Sequence, residues 1–108
     1  MVDSHKNQFN QRLLLNLLDV HLLRILQNEP LWGYKLKKNI ENAFAVKIRH
    51  SILYPTLNAL EKKGFLKSRK QIKNGRSRKV YTITEAGKKY IESYYIVLAN
   101  QIKGNDLT

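Results

Sequence analysis

The strongest chemical signal in the sequence is a run of basic side chains in the second half of the chain. Nine Lys and Arg residues and no acidic residue lie between Lys62 and Lys79, in a chain of 108 residues whose formal net charge is +12. Positive charge concentrated in this way attracts a polyanion and speeds the encounter with it. The side chains that we expect to contact a nucleic acid surround an Asn-Gly turn: Arg69, Lys73, Asn74, Arg76, Arg78 and Lys79. The alternative is a charged hairpin that only protects an edge strand from pairing.

Seven residues before this run also suit the recognition of DNA: Arg49, His50, Ser51, Tyr54, Pro55, Thr56 and Asn58. The amide of Asn58 can bond the edge of an adenine, and Thr56 can bond a base or contact a thymine methyl group. The other hydroxyl groups suit phosphate oxygens, and the first two residues precede a predicted helix whose positive N-terminal dipole attracts phosphate. The alternative is that Tyr54 and Pro55 only pack the start of this helix and that His50 is an ordinary surface residue.

Other classes of site find no support in the sequence. The chain contains no cysteine, which excludes disulfides, thiolate zinc sites and a cysteine nucleophile. We find no metalloprotease, P-loop or nucleophile-elbow motif and no paired carboxylates beside a histidine, so we expect no enzyme, no cofactor and no metal. No 18-residue apolar run and no signal peptide are present, and we therefore expect a cytoplasmic, nucleoid-associated protein without membrane contact.

The spacing of apolar residues predicts the helices that position these side chains. It predicts a long first helix over residues 9–27, ended by Pro30, and a second helix over residues 34–42. A short extended piece over residues 45–48 then precedes a third helix over residues 52–63. We expect Ser51 to be the N-cap of this third helix, Pro55 to lie in its first turn, and Gly64 to end it in a left-handed conformation.

After Gly64 the apolar period becomes that of a strand. Residues 65–72 and 78–83 predict two strands joined by a loop of residues 73–77, in which Asn-Gly indicates a hairpin. Thr84 is the predicted N-cap of a last helix over residues 85–103, followed by a frayed tail over residues 104–108. The sequence therefore predicts a single, mainly α domain over residues 1–108 with a β-hairpin wing. This is the winged helix-turn-helix order α-α-(β)-α-β-β-α.

The last predicted helix is apolar nearly all round, and a small domain cannot easily bury every face of such a helix. We therefore expect the helices over residues 9–27 and 85–103 to join two copies of the chain. The predicted interface consists of Leu14, Leu18, Tyr90, Tyr94, Val97 and Leu98. One alternative is that the last helix packs only on the first helix of its own chain. Another is that the tyrosines and Trp32 line a ligand pocket between subunits.

Three segments, taken in order, resemble one known family. They read LWGYKLKKNI, SILYPTLNALEKKGFL and NGRSRKVYTITEAG, and the likeness extends over residues 18–90. They are similar to the PadR family of winged-helix transcriptional regulators. The resemblance implies a homodimer joined through its terminal helices, a two-fold operator, and a contact of Tyr54 with the DNA backbone. The sequence departs from the family at Trp32, where the family often has His, and its single C-terminal helix resembles the short type without a large sensing domain.

These observations predict a sequence-specific protein that binds double-stranded DNA as a homodimer, and most directly a repressor that blocks access to a promoter. One alternative is a centromere-binding or architectural protein, which also binds DNA but spreads along it and recruits a partition partner. A second alternative is a winged-helix module that binds another protein and no nucleic acid.

Overall fold

A computed structural model describes residues 2–104 of the chain and the side chains of residues 5–104. It contains five helices and three strands in the order α1 (Val2–Asn16), α2 (Leu18–Leu26), β1 (Leu31–Trp32), α3 (Gly33–Phe44), α4 (His50–Lys62), β2 (Leu66–Lys73), β3 (Arg76–Ile83) and α5 (Glu85–Lys103). The strands form one antiparallel sheet in the order β1-β3-β2. The predicted class, a mainly helical winged helix with a β-hairpin, is confirmed. The predicted frayed tail, apart from Gly104, lies outside the described residues.

The predicted first helix is in fact two helices. The chain leaves helical geometry at Leu17, where φ is −123° and ψ is 30°. The break occurs although backbone hydrogen bonds continue on both sides of it, from Leu17 N–H to the Leu13 carbonyl and from His21 N–H to the Leu17 carbonyl. Neither Pro nor Gly marks the position, and apolar residues continue through it, so helical periodicity alone did not reveal it. Among the described side chains, α1 contributes Leu14 alone to the buried residues, whereas α2 contributes six of its nine.

The third strand of the sheet lies elsewhere than predicted. Residues 46–49 form no strand, and the short β1 pairs instead with β3, with Leu31 opposite Tyr81 and Trp32 opposite Val80. The turn between α3 and α4 is held in another way. Ala45 adopts a left-handed conformation with φ of 55°, and the Ile48 N–H donates to a carboxylate oxygen of Glu41 at 2.9 Å. A two-residue strand has no measurable period, so only its pairing partner identifies it.

Helix α4 carries the residues predicted to recognise DNA, which are called the reading residues below: Ser51, Tyr54, Pro55, Thr56 and Asn58. This helix begins earlier than expected. Arg49 is its N-cap residue, with no side-chain capping bond, and Ser51 lies inside the helix, so the predicted Ser51 cap is wrong. Pro55 is consequently beyond the first turn, and its missing N–H leaves the Ser51 carbonyl without its helical partner. The predicted end is confirmed, because Gly64 has φ of 80° and the Phe65 N–H closes the helix onto the Leu60 carbonyl.

The hairpin is longer and its turn tighter than predicted. Each strand has eight residues, and only Asn74 and Gly75 connect them, with φ of 55° and 77°. Two successive positive φ angles are typical of a type I′ turn, which matches the twist of the strands. The tip of the hairpin therefore presents Lys73 and Arg76 directly opposite each other.

The last helix has the predicted bounds, and its start is attached to the end of α4. The Thr84 hydroxyl oxygen accepts from the Gly87 N–H at 3.1 Å, which confirms the predicted cap. The same hydroxyl donates to the Gly64 carbonyl at 2.6 Å. A Cβ on Gly87 would lie 2.1 Å from the Phe65 carbonyl oxygen, so only glycine allows this close approach. The base of the hairpin, α4 and α5 are thereby held in one arrangement.

The core is one cluster formed by leucines of α1, α2 and α4 with residues of α3, the sheet and α5. It includes Leu14 and Leu18, which are 0% and 3% exposed. These two residues therefore have no surface to offer a second copy of the chain, which corrects their assignment to a dimer interface. The other four predicted interface residues lie on α5, where Tyr94 is half-buried and Tyr90, Val97 and Leu98 are exposed.

Large apolar side chains are exposed mainly on α1 and α5. They are Phe9, Leu13 and Leu15 on α1, and Tyr90, Tyr95, Ile96, Val97, Leu98 and Ile102 on α5. No helix within residues 2–104 is long and apolar enough to cross a lipid bilayer.

A buried histidine lies beside the break between α1 and α2. His21 donates through Nε2 to the Leu13 carbonyl at 3.2 Å and accepts at Nδ1 from Arg24 at 3.2 Å, a pattern that fits the neutral ring. Burial lowers the pKa of His21 below its ordinary value of 6.5 and the Arg24 charge lowers it further, against the opposing effects of the Leu13 carbonyl and of Asp19.

The free energy of unfolding is expected to fall as the pH drops below 6.5, the ordinary pKa of histidine. In this range the unfolded chain binds a proton at residue 21 that the folded chain does not bind, so protonation favours unfolding. Urea titrations between neutral and mildly acidic pH measure the effect. His21→Gln should show a smaller fall, because it removes the group whose pKa is lowered by burial. An identical fall in wild type and His21→Gln contradicts this assignment.

Candidate nucleic-acid interface

The outward face of α4 carries most of the predicted reading residues. Leu53, Leu57 and Leu60 are buried, so residues half a turn away face solvent. These exposed residues are Ser51, Pro55, Asn58, Ala59 and Lys62. Ala59 and Lys62 were not predicted, although the same helical spacing places them beside Pro55 and Asn58. The face is small and polar, as a helix that enters the major groove requires.

Tyr54 borders this face on the side nearer the sheet. Its ring is half-buried, packs against the core and stacks on His50 with 5.5 Å between ring centroids. Its hydroxyl oxygen lies 2.9 Å from where a Cβ on Gly33 would be, so the start of α3 rests directly against Tyr54. Tyr54 therefore joins α3 to α4, and packing is one of its roles.

Thr56 lies on the opposite border of α4, away from Tyr54 and Asn58. Its hydroxyl donates to the Ile52 carbonyl at 2.8 Å, within its own helix. It lines a cavity with Leu15, Asp19 and Lys63, at the junction of α1 and α2. Pro55 lines the same cavity, so Thr56 lies beside Pro55 but is not brought together with Tyr54 and Asn58.

The hairpin presents two differently composed faces. Residues opposite each other in an antiparallel pair share a face, and faces alternate along a strand. One face carries Arg69, Lys73, Arg76 and Arg78. The other face carries Lys70, Ile72, Ser77 and Lys79. Toward the base of the hairpin this second face continues into the buried Tyr81 and Ile83. The second face is therefore the one turned toward the core and α4. The predicted wing residues therefore do not all share one surface, and Lys70 and Ile72 are additional exposed residues that composition alone did not single out.

Arg78 differs from the other predicted wing residues, which are all exposed. It is half-buried, and its guanidinium carbon lies 4.2 Å from the centroid of the Trp32 ring. Trp32 in turn lies 5.2 Å from Tyr34, between ring centroids, and Lys38 approaches the Tyr34 ring at 5.6 Å. This aromatic group at the start of α3 was not predicted as part of the site, because its residues meet Arg78 only through the pairing of β1 with β3.

A cleft of about 430 Å³ connects α4 with the hairpin. Its walls are Trp32, Gly33, Tyr34, Tyr54, Asn58, Ser77, Arg78, Lys79 and Tyr81. No acidic residue lines this cleft, and the neighbouring cavity along the hairpin, lined by Trp32 and residues of the tip, also has no acidic lining residue. Across this cleft Tyr54 and Asn58 of α4 therefore face Arg78 and Lys79 of the hairpin. Arg78 also lines the neighbouring cavity, together with Lys73 and Arg76 of the tip.

The positive charge of the hairpin is not neutralised within the described part of the chain. The ion pairs found among those residues join Lys37 and Lys38 to Glu41, and Lys88 to Glu85, all within helices. Glu61 lies near the base of the hairpin, where it accepts a hydrogen bond from Ser68 at 2.7 Å. Residues 2–104 also contain no group of three or more His, Asp or Glu side chains that could hold a metal ion. The surface is thus suited to an external anion.

A family model described as the transcriptional regulator PadR-like family matches residues 22–93, more than half of the chain. The chain belongs to this family. The matched segment runs from within α2 to the first half of α5 and includes α4 and the whole hairpin. The PadR-like resemblance expected over residues 18–90 is therefore confirmed.

Solved structures of PadR-like and related regulators share the fold. A protein from Thermoplasma acidophilum described as a transcriptional regulator is 28% identical to this chain, with a TM-score of 0.70. The match covers 89% of this chain and 93% of that one. A transcriptional regulator from Clostridium thermocellum is also 28% identical, with a TM-score of 0.70 and coverage of 82% and 88%. Bacillus subtilis PadR, solved in complex with operator DNA, is 28% identical with a TM-score of 0.67, and the match covers 73% of this chain but 47% of that one. No curated protein matches the chain.

Proposed function

We propose that this PadR-like regulator binds double-stranded DNA as a homodimer at a two-fold operator and represses transcription by blocking access to the promoter. The observation that carries the proposal is the cleft in which Tyr54 and Asn58 of α4 meet Arg78 and Lys79 of the basic hairpin without an acidic lining residue. The matched family is one of transcriptional regulators, and the related Bacillus subtilis PadR was solved with operator DNA.

In this proposal α4 enters the major groove and the hairpin follows the backbone to the next minor groove. Asn58 reads a base edge, while Ser51 and Tyr54, with Arg49 and His50 at the start of the helix, contact phosphates. At the tip of the hairpin Arg76 enters the minor groove, where a narrow groove has a negative potential that attracts arginine. The remaining wing residues that contact phosphates are Arg69, Lys73, Asn74, Arg78 and Lys79.

The exposed apolar residues of α1 and α5 support the homodimer. Ile96 and Val97 are 58% and 59% exposed and Ile102 is 75% exposed, on a helix that ends the described fold. Several exposed apolar side chains on a small domain mark an interaction surface, and a two-fold dimer covers them with the same side chains of a second copy. A two-fold dimer also presents two copies of α4 to two half-sites.

Selection of bound sequences from a random duplex pool, followed by footprinting of the winner, tests this function. The expected winner is an inverted repeat with half-site centres about 10 base pairs, or a multiple of this, apart. The expected footprint keeps one length as the protein concentration rises. A footprint that lengthens with concentration contradicts a simple repressor and favours spreading along DNA. Absence of binding to any duplex at low salt contradicts the function as a whole.

Asn58→Ala is expected to reduce discrimination at one base position by about 1–3 kcal/mol, because a bidentate contact with a base edge is lost. The measurement compares affinity for the selected operator with affinity for the same operator altered at single positions. Ser51→Ala, about two turns away on the same exposed face, is the control, since loss of a phosphate contact should weaken all sequences equally. If Asn58→Ala weakens operator and random DNA alike, Asn58 does not read bases.

A further inference from the structure

We propose that Trp32 is a positioning residue for DNA binding, which holds the guanidinium of Arg78 in place for a backbone phosphate between α4 and the wing. The phosphate is the one at which the DNA strand passes from the groove that contains α4 to the groove that contains the hairpin tip. This inference rests on the proposed DNA-binding function and adds to it a residue and a contact chemistry.

The register of the sheet places Trp32 beside Arg78. Trp32 is opposite Val80, and Arg78 lies two residues before Val80, toward the hairpin tip, so both side chains project from the same face of the sheet. Because β1 ends at Trp32, the indole is the last side chain of this strand next to the outer half of β3. The distance of 4.2 Å from guanidinium to ring centroid is that of a cation–π stack.

The stack leaves Arg78 with unused hydrogen-bonding capacity. Its Nε is buried without a hydrogen-bond partner, and it is the one side-chain atom in this state within the described residues. Arg78 also takes part in none of the ion pairs found there. A buried, unpaired donor on a charged group is costly, so the fold holds this guanidinium in place without supplying an anion. The two terminal nitrogens are the ones that can bind a phosphate in a bidentate manner.

The surroundings of Arg78 fit a phosphodiester with its sugar. Lys79 supplies a second cation to the cleft, and Ser77 and Asn58 supply neutral hydrogen-bonding groups. The Tyr34 ring lies against Trp32 and forms an apolar wall that a deoxyribose can pack on. Since Asn58 belongs to α4 and Ser77 to the hairpin, a strand held in this cleft contacts both parts of the interface.

The test is a double-mutant cycle measured as affinity for one selected operator. Trp32→Leu keeps an apolar side chain but removes the aromatic face, and is expected to weaken binding about three- to tenfold. Trp32→Phe keeps a ring and should recover most of this loss. Arg78→Met should weaken binding more and lower the salt slope by about 0.9 for each protomer bound. In the Arg78→Met background, Trp32→Leu should have no further effect, because the partner of the indole is gone.

Two further measurements separate positioning from stability. Arg78→Lys keeps the charge at a half-exposed position, so folding is preserved, but it cannot stack as a plane or bind in a bidentate manner, and should lose about as much affinity as Trp32→Leu. Trp32 is the one tryptophan of the sequence, so its fluorescence should change on DNA binding with the same midpoint as the anisotropy of labelled DNA. In Arg78→Met this change should be smaller.

The outcomes distinguish this inference from the function on which it rests. If the wild-type protein binds no duplex at low salt, the proposed function fails. If wild type binds DNA, and the folded Trp32→Leu and Arg78→Lys variants both bind it as tightly as wild type does, the function stands and the role of Trp32 is overturned. Additive effects of Trp32→Leu and Arg78→Met also overturn it, because positioning through Arg78 requires coupling. Tighter binding by Trp32→Leu would show that the stack sequesters Arg78 instead of positioning it.

Discussion

Replacing Lys73 and Arg76 together by alanine is expected to weaken binding to every duplex sequence, on the order of 100-fold at about 0.1 M salt. Both side chains are exposed, directly opposite each other at the hairpin tip, and without an acidic partner in the described ion pairs. A dimer would lose four cationic contacts, each of which contributes about 0.9 to the slope of log affinity against log salt. The slope should therefore become shallower by about 3 to 4, with operator and random DNA affected to a similar degree.

The matched control removes two lysines from outside the proposed interface. Lys88→Ala with Lys89→Ala lowers the net charge by the same amount, from exposed positions near the start of α5. This variant should keep most of the affinity and the salt slope. Fluorescence anisotropy over a range of salt concentrations measures both quantities. If the two double variants behave alike, general charge rather than the wing determines the affinity.

Val97→Asp is expected to convert the proposed dimer into a folded monomer and to reduce operator affinity roughly 100- to 10,000-fold. Val97 is 59% exposed on α5, so the carboxylate is solvated in the monomer but would be buried in an interface between two copies. A monomer binds each half-site separately and loses the high effective concentration of the second α4. Analytical ultracentrifugation of the free protein and affinity for one isolated half-site measure the two effects.

Val97→Leu is the control at the same position, since it keeps the apolar surface and should leave both assembly and affinity near the wild-type values. Circular dichroism checks that the Val97→Asp monomer is folded. Affinity of Val97→Asp for an isolated half-site should remain close to that of wild type, because α4 and the wing are unchanged. A Val97→Asp protein that still sediments as a dimer and binds the operator tightly contradicts an interface at this part of α5.

The elements that local chemistry specifies could be predicted closely. Asn74 and Gly75 favour positive φ and so determine a two-residue turn, and Gly64 ends α4 for the same reason. Thr84 caps α5 through a bond to a residue three positions away, which is why the start of this helix was predicted correctly, and Gly104 ends it in a left-handed conformation. The spacing of Leu53, Leu57 and Leu60 determined which face of α4 is buried and, by exclusion, that Ser51, Pro55 and Asn58 face outward.

Predictions failed where distant parts of the chain decide the structure. Leu14 and Leu18 resemble interface residues in an apolar stripe, but the fold buries both of them in the core of their own chain. Thr56 is only two residues from Asn58, yet α4 packs so that it faces the junction of α1 and α2. Packing angles of helices depend on residues far apart in sequence, so no local pattern reports them.

The sequence by itself determined that this chain carries a basic hairpin after a helix with a polar outward face, because charge, turn residues and helical period are local properties. Only the tertiary structure decided how these parts meet. The pairing of β1 with β3 brings Trp32 against Arg78, over a sequence separation that no spacing rule covers. The pairing of β2 with β3 divides the wing into two faces, and the packing of α4 beside the sheet forms the cleft that Asn58 and Lys79 both line. The basic residues therefore follow from sequence, whereas the choice of which of them lie near α4 follows from long-range strand pairing and core packing.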